Sequence, residues 1–73
     1  MKNYSVSCVI YVRGFGEPVY SITPPSATIA EYGKVEAINT YLHRLLYDPA
    51  IYPYLQNSYL IVPAAKEIPA VMH

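Results

Sequence analysis

The chain has 73 residues and a mass of 8.2 kDa, and its five basic and five acidic side chains give a formal net charge of zero. This length excludes two independent cores, and a hydrophobic content of 53% excludes ordinary low-hydrophobicity disorder. The balanced charge argues against a polybasic nucleic-acid or membrane-surface binder. No apolar run reaches the roughly 18 residues of a transmembrane helix.

The N-terminal third predicts a β-hairpin. Apolar and polar side chains alternate over 4–13, which is typical of a strand with one buried face. The residues Gly14-Phe15-Gly16 form a turn signal, and alternation resumes over 17–23. Pro24-Pro25 then ends the second strand, because proline donates no ladder hydrogen bond. The face predicted to be buried in the first strand consists of Tyr4, Val6, Cys8, Ile10 and Val12.

An amphipathic helix is predicted near 34–47. Thr28 and Glu31 have the spacing of a capping box, with Thr28 as the N-cap, although Gly33 favours a start after it. Asp48-Pro49 ends the helix and is expected to cap one further turn over 50–55. The predicted apolar stripe consists of Tyr32, Val35, Ile38, Leu42 and Leu45, flanked by Tyr41 and Leu46.

A third strand is predicted at Tyr59–Val62, a short apolar run that we expect to be largely buried and to end at Pro63. The segment 64–73 has no clear period, so an extended tail, an edge strand and a partner-bound arm all remain open. The order β-β-α-β predicts an α+β fold, with a small antiparallel sheet and one amphipathic helix packed on one face. We expect 1–73 to form one small domain.

Nine tyrosines are the most unusual feature of the composition. Tyrosine combines an apolar ring with a hydroxyl, so it suits either the rim of a small core or a protein-binding surface. The group that follows the helix, Tyr47, Tyr52 and Tyr54, is the favoured binding patch. Because one helix covers one face of a sheet, Tyr11 and Tyr20 are candidates for the other face.

Arg13 and Phe15 are further candidate contact residues. Beside Tyr11 and Lys2 they have the residue types of a single-strand nucleic-acid surface, on which bases stack over aromatic rings. Glu17 lies next to them, and five basic residues give a weak electrostatic attraction for phosphate. Nucleic-acid binding is therefore the alternative to protein binding and not the preferred function.

The residues offer little enzyme chemistry. Cys8 and His43 are a conceivable nucleophile–base pair, but Cys8 is predicted on the buried strand face and His43 on the polar side of the helix. Glu36, His43 and Arg44 are best interpreted as a solvated helix surface. One cysteine and two histidines cannot complete a four-ligand zinc site, and no phosphate-binding or nucleophile motif is present. We expect no enzymatic activity, no metal and no cofactor.

These features together predict a non-enzymatic protein–protein interaction module. Its size and type favour an accessory or inhibitor protein, of the kind encoded by phages and mobile elements, that occludes a partner surface. The small chain gains from extra burial, so a homodimer is expected. A nucleic-acid accessory factor and a structural subunit of a larger assembly are the alternatives. The single cysteine and the lack of a signal-peptide pattern predict a cytoplasmic protein without membrane contact.

Overall fold

The computed structural model describes residues 1–13 and 19–69. The elements follow the order β1, β2, β3, α1, α2, β4. The architecture is the predicted α+β one, a small antiparallel sheet with helices packed on one face. The Gly14-Phe15-Gly16 turn and Glu17 lie outside the described residues, as do residues 70–73. The bounds of the elements are β1 Lys2–Val12, β2 Tyr20–Ile22, β3 Ala27–Glu31, α1 Lys34–Leu46, α2 Tyr52–Gln56 and β4 Ser58–Ile68.

Strand β1 is the centre of the sheet. Strand β4 pairs antiparallel with it along nearly its whole length, from Asn3 opposite Ile68 to Val12 opposite Ser58. Strands β2 and β3 both pair antiparallel with β1 as well, at opposite ends of it. Strand β4 occupies one edge of β1. Strands β2 and β3 therefore share the other edge, as one interrupted strand.

The interruption between β2 and β3 is a one-residue bulge. Ile22 pairs with Ile10, and Ala27 pairs with Val6. The segment from Ile22 to Ala27 is therefore one residue longer than the segment of β1 to which it lies opposite. Since side chains alternate between the faces of a strand, the extra residue shifts the alternation by one position. Ile22 and Ile29 thereby both face the helices. The predicted second strand corresponds to β2, which ends before Pro24-Pro25 as predicted, whereas β3 was not predicted.

The capping box predicted at Thr28–Glu31 is wrong, because these residues belong to β3. Ile29 is 2% exposed and lies opposite Tyr4 in the ladder. The Glu31 carboxylate does not cap a helix but accepts a hydrogen bond from Thr40 Oγ1 at 3.1 Å. Helix α1 begins at Lys34, as the position of Gly33 indicated, with Gly33 as its N-cap.

The buried stripe of α1 differs from the predicted one. Ala37, Tyr41 and Leu45 are buried against the sheet, with Ile38 and Leu42 partly buried beside them. Tyr32 and Val35 are 76% and 67% exposed, so their assignment to the buried stripe is wrong. Tyr41 belongs in the core because its hydroxyl has a partner there: it donates to the Pro25 carbonyl at 2.8 Å.

The C-terminal strand is longer and less buried than predicted. Strand β4 continues through Pro63 to Ile68, so Pro63 does not end it, and 64–68 is an edge strand. Proline is tolerated here because the strand pairs with β1 alone among the described strands. Leu60 and Val62 are 50% and 46% exposed, which contradicts the expected burial of Tyr59–Val62.

The segment that joins α1 to β4 forms a second short helix, as the Asp48-Pro49 signal indicated. Asp48 Oδ1 accepts the backbone N–H of Ala50 at 2.9 Å, and the Asp48 carbonyl accepts those of Ile51 and Tyr52. Helix α2 follows at Tyr52–Gln56. Leu55 of this helix packs against the core at the end of the sheet. Neither described helix has the length and apolar character needed to cross a bilayer.

Candidate functional site

An apolar groove of about 320 Å³ lies where α1, α2 and β4 meet. Helix α1 contributes one wall because its apolar positions extend beyond the stripe that the sheet buries. Leu46 is the most open of these positions, at 49% exposure. We refer to this feature as the helix groove, and its lining residues are Asn39, Leu42, His43, Leu46, Leu55 and Ile61.

The helix groove offers apolar contact and few polar groups. His43 is the one titratable side chain in its lining, and Asn39 is the other polar residue. A groove of this composition has little with which to orient a charged or highly polar ligand. It suits an apolar side chain that loses water on entering.

Tyr47 extends the helix groove at the end of α1. Its ring packs edge-on against His43, with 5.1 Å between the ring centroids, and the residue is 77% exposed. Tyr52 and Tyr54 are also exposed, and Gln56 Nε2 donates to the Tyr52 hydroxyl at 2.8 Å. Tyr52 and Tyr54 are two positions apart on α2 and so project from different sides of it. The three predicted anchors do not share one helix face.

A second exposed apolar surface lies on the other side of the sheet. Val9 pairs with Val62 and Tyr11 with Leu60 in the ladder between β1 and β4. These residues alternate with the buried ones, so they face away from α1 and α2. We refer to this surface as the open sheet face and define it as Val9, Tyr11, Tyr59, Leu60 and Val62.

A bulge places Tyr59 on the open sheet face. Tyr11 is opposite Leu60 and Val12 is opposite Ser58, which leaves Tyr59 as the extra residue of β4. Its ring lies 6.2 Å from that of Tyr11, and the Arg13 guanidinium lies 5.3 Å from its centroid. Arg13 and Tyr11 are therefore brought together, as predicted, around a tyrosine that the sequence had assigned to a buried strand. Lys2, which was grouped with them, lies at the other end of β1, where it pairs with Glu67.

Tyr20 does not join this surface. It pairs with Val12, which is 2% exposed and faces the helices, whereas Tyr11 pairs with Ser21. Directly paired residues of antiparallel strands share a face. The assignment of Tyr20 to the uncovered face is wrong, because its face is set by the register in which β2 pairs with β1, and the sequence does not state that register. The contact predicted for Phe15 lies outside the described residues.

The environments of Cys8 and His43 differ. Cys8 is buried and lies beside Tyr41; burial raises the pKa of the Cys8 thiol, and the Tyr41 hydroxyl lowers it by less. His43 is exposed and packs on Tyr47. Tyr41 and His43 are two residues apart on α1 and so face different directions. A nucleophile–base pair needs contact between thiol and imidazole, which this placement does not provide.

Metal-ligating side chains are dispersed over residues 1–13 and 19–69: no three of the His, Cys, Asp and Glu residues there form a group that would hold an ion.

The comparisons with known proteins add no homologue or fold relative, since the chain matches no protein-family model, no curated protein and no solved structure.

Proposed function

We propose that the chain is a non-enzymatic protein-binding module whose helix groove takes an apolar anchor side chain from a partner protein. The observation that carries this proposal is the groove itself, which is apolar, open to solvent and about 320 Å³ in volume. That volume is at the small end of ligand sites, where it fits an anchor residue better than a whole cofactor. Anchor side chains seated in pockets supply most of the energy of many interfaces.

The exposed tyrosines support the same function. Tyr47 lies at the rim of the helix groove, where a rigid ring adds contact area at a low cost in conformational entropy. A partner seated on Leu46 and Tyr47 would cover the end of α1. We infer that the module acts by occluding the partner surface it binds, as an accessory or inhibitor protein of a phage or mobile element would.

One cluster favours nucleic-acid binding as the second candidate. Arg13, Tyr11 and Tyr59 combine a cation with two rings at one end of the open sheet face. Such a cluster stacks on unpaired bases in other proteins. The neutral charge of the chain gives phosphate little attraction beyond Arg13, so protein binding remains the preferred function.

The experiment compares two lysine substitutions on the same helix. Leu46→Lys places a charge in the helix groove, whereas Val35→Lys changes an equally aliphatic residue that is 67% exposed away from it. Tagged wild-type and variant chains are used to capture partners from extracts of the natural host, with and without nuclease and at two salt concentrations.

We expect a protein partner that survives nuclease and high salt, whose recovery falls at least tenfold with Leu46→Lys and is unchanged with Val35→Lys. A tenfold loss corresponds to about 1.4 kcal/mol of binding free energy. Equal recovery with both variants would exclude the helix groove as the binding site. Recovery that disappears with nuclease, or falls steeply with salt, would favour the nucleic-acid function.

A further inference from the structure

The charged side chains of the molecule are unevenly divided between the two sides of the sheet. Residues 1–13 and 19–69 hold four of the five carboxylates, and all four lie on the side that carries the helices: Glu31, Glu36, Asp48 and Glu67. Glu67 lies opposite the buried Tyr4, and Glu31 accepts a hydrogen bond from Thr40 of α1. The other two belong to α1 and to the turn that follows it.

Two cations lie on the opposite side of the sheet, where the described part of the chain places no carboxylate. Lys66 lies opposite Ser5, whose neighbours in β1 are buried beneath the helices, so this pair faces away from them. Arg13 continues the same alternation beyond Val12, and its guanidinium lies 5.3 Å from the centroid of the Tyr59 ring. Although the net charge of the chain is zero, this side is positive and attracts an anion.

Two aromatic rings lie beside one of these cations. The ring centroids of Tyr11 and Tyr59 are 6.2 Å apart, and the rings are inclined at 55°, so each presents its own surface. The backbone N–H of Arg13 donates to the Asn57 carbonyl at 3.3 Å, which holds Arg13 in line with β1. Rings combined with a cation are typical of surfaces that bind single-stranded nucleic acid, because unpaired bases stack on the rings and the cation attracts phosphate.

The apolar part of this side is too small to hold a protein partner by itself. Tyr59, Leu60 and Val62 are about half exposed, and Val9 and Tyr11 are less exposed than that. Together they offer less than the roughly 800 Å² that each partner contributes to a standard protein interface. A stacked base needs only the area of a ring and its immediate surroundings, so the available surface suits a nucleic acid better than a protein.

We propose that the open sheet face binds single-stranded DNA, with bases stacked on Tyr11 and Tyr59 and a phosphate held by Arg13. The bases of a duplex stack on one another and do not offer their faces to the rings, so the ligand is an unpaired strand. Ser5, opposite Lys66, lies eight positions before Arg13, about 26 Å at roughly 3.3 Å per strand residue. Lys66 therefore contacts the same strand several nucleotides away. The helix groove lies on the other side of the sheet, so DNA binding is independent of the proposed protein contact.

The aliphatic centre of the open sheet face favours thymine among the bases. Val9, Leu60 and Val62 adjoin the two rings along the ladder between β1 and β4. Thymine carries a methyl group that proteins recognise by apolar contact, whereas recognition of the cytosine amino group uses a carboxylate. The described residues on this side include no carboxylate. RNA contains uracil, which lacks the methyl group, so the same contacts favour DNA over RNA.

The first experiment measures, by fluorescence anisotropy, how the full chain binds a labelled oligothymidylate of about 12 nucleotides, a length within the roughly 4–16 that small single-strand-binding domains cover. Two cations attract phosphate only weakly, so we expect a dissociation constant of about 1–100 µM at about 50 mM salt. Oligodeoxyuridylate, which lacks only the methyl groups, is expected to bind about two- to fourfold more weakly. The same thymines closed into a hairpin duplex with adenines are expected to bind at least tenfold more weakly.

Matched substitutions locate the site. Tyr59→Leu removes a ring from the open sheet face and is expected to weaken binding at least fivefold, which corresponds to the loss of one stacked base. Tyr47→Leu removes an exposed ring from the end of α1 and should leave binding unchanged. Arg13→Gln is expected to weaken binding and to reduce its salt dependence by about one phosphate contact. Arg44→Gln removes the same charge from α1 and should change neither. Circular dichroism verifies that each variant is folded.

The proposal would be overturned by the absence of binding up to about 300 µM chain, a concentration above the range of ordinary non-specific contacts. Full affinity in Tyr59→Leu, equal losses with Arg13→Gln and Arg44→Gln, or a duplex bound as tightly as the single strand would also overturn it. Equal affinity for oligodeoxyuridylate would overturn the preference for thymine. Leu46→Lys is expected to keep DNA binding, so failure of the groove function and failure of this site are distinguishable.

Discussion

Tyr41 is the residue that joins the bulge, the helix and the sheet. It is 2% exposed, its hydroxyl donates to the Pro25 carbonyl at 2.8 Å, and Cys8 lies beside it. Burial, with a smaller contribution from Cys8, raises the pKa of Tyr41 from 10.0 to about 12. The folded chain therefore holds this proton at pH values where the unfolded chain has lost it.

Loss of the Tyr41 hydroxyl proton lowers the stability of the fold at alkaline pH. The stabilisation is complete below the unfolded pKa of 10.0 and is lost as the pH rises towards 12. A shift of this size corresponds to about 3 kcal/mol at its limit. Cys8, whose pKa is also raised by burial, adds to the loss from about pH 9 upward. The expected curve is flat near neutrality and descends above pH 9.

Tyr41→Phe tests this account. At neutral pH we expect a loss of about 1 kcal/mol, since one hydrogen bond disappears and the exposed Pro25 can bind water instead. Above pH 10 the variant should lose less stability than wild type with each added pH unit. Urea unfolding at several pH values measures both effects, with the exposed Tyr47→Phe as the control. An identical alkaline slope in wild type and Tyr41→Phe would refute the role of this proton.

At the scale of single elements, helix α1 lacks a side-chain cap at its N-terminus, although one substitution would complete a capping box there. Gly33 is the N-cap with an extended backbone (φ −151°, ψ 172°) and no side-chain cap bond, a conformation open to any residue. A Cβ there would lie 2.5 Å from Glu36 Oε2, the flexible end of a side chain that reaches back towards Gly33. Glu36 is three residues on, so a serine at 33 would complete a capping box.

Gly33→Ser is therefore expected to stabilise the chain by about 0.5–1 kcal/mol, from the new cap and from a less flexible unfolded state. Thermal and urea unfolding measure the gain. Gly33→Ala separates the two sources because it lacks the capping oxygen, so it should gain less than Gly33→Ser. Destabilisation by both substitutions would mean that the Glu36 carboxylate cannot move aside for a Cβ.

The elements also show which local patterns predict structure and which mislead. Strand β1 was predictable because buried positions alternate with more exposed ones along its eleven residues, as is typical of a strand with one buried face. The Thr28–Glu31 pattern misled because a capping box is a local signal, and the one-residue bulge that carries Ile29 into the core depends on pairing with a distant strand. Pro63 misled for a similar reason: its effect depends on whether the strand is at an edge, which the sequence does not state.

At the scale of the whole molecule, each of the two exposed apolar surfaces contains residues that the sequence assigned to the interior. Leu42 and Leu46 were assigned to one helical stripe, although the sheet is too narrow to cover all of it. Leu60 was assigned to a buried strand on the evidence of its apolar run. In the folded chain, part of each apolar pattern stays in contact with solvent. The tyrosines led to the prediction of a binding function, and the site proposed for that function is lined mainly by the aliphatic residues of the helix groove.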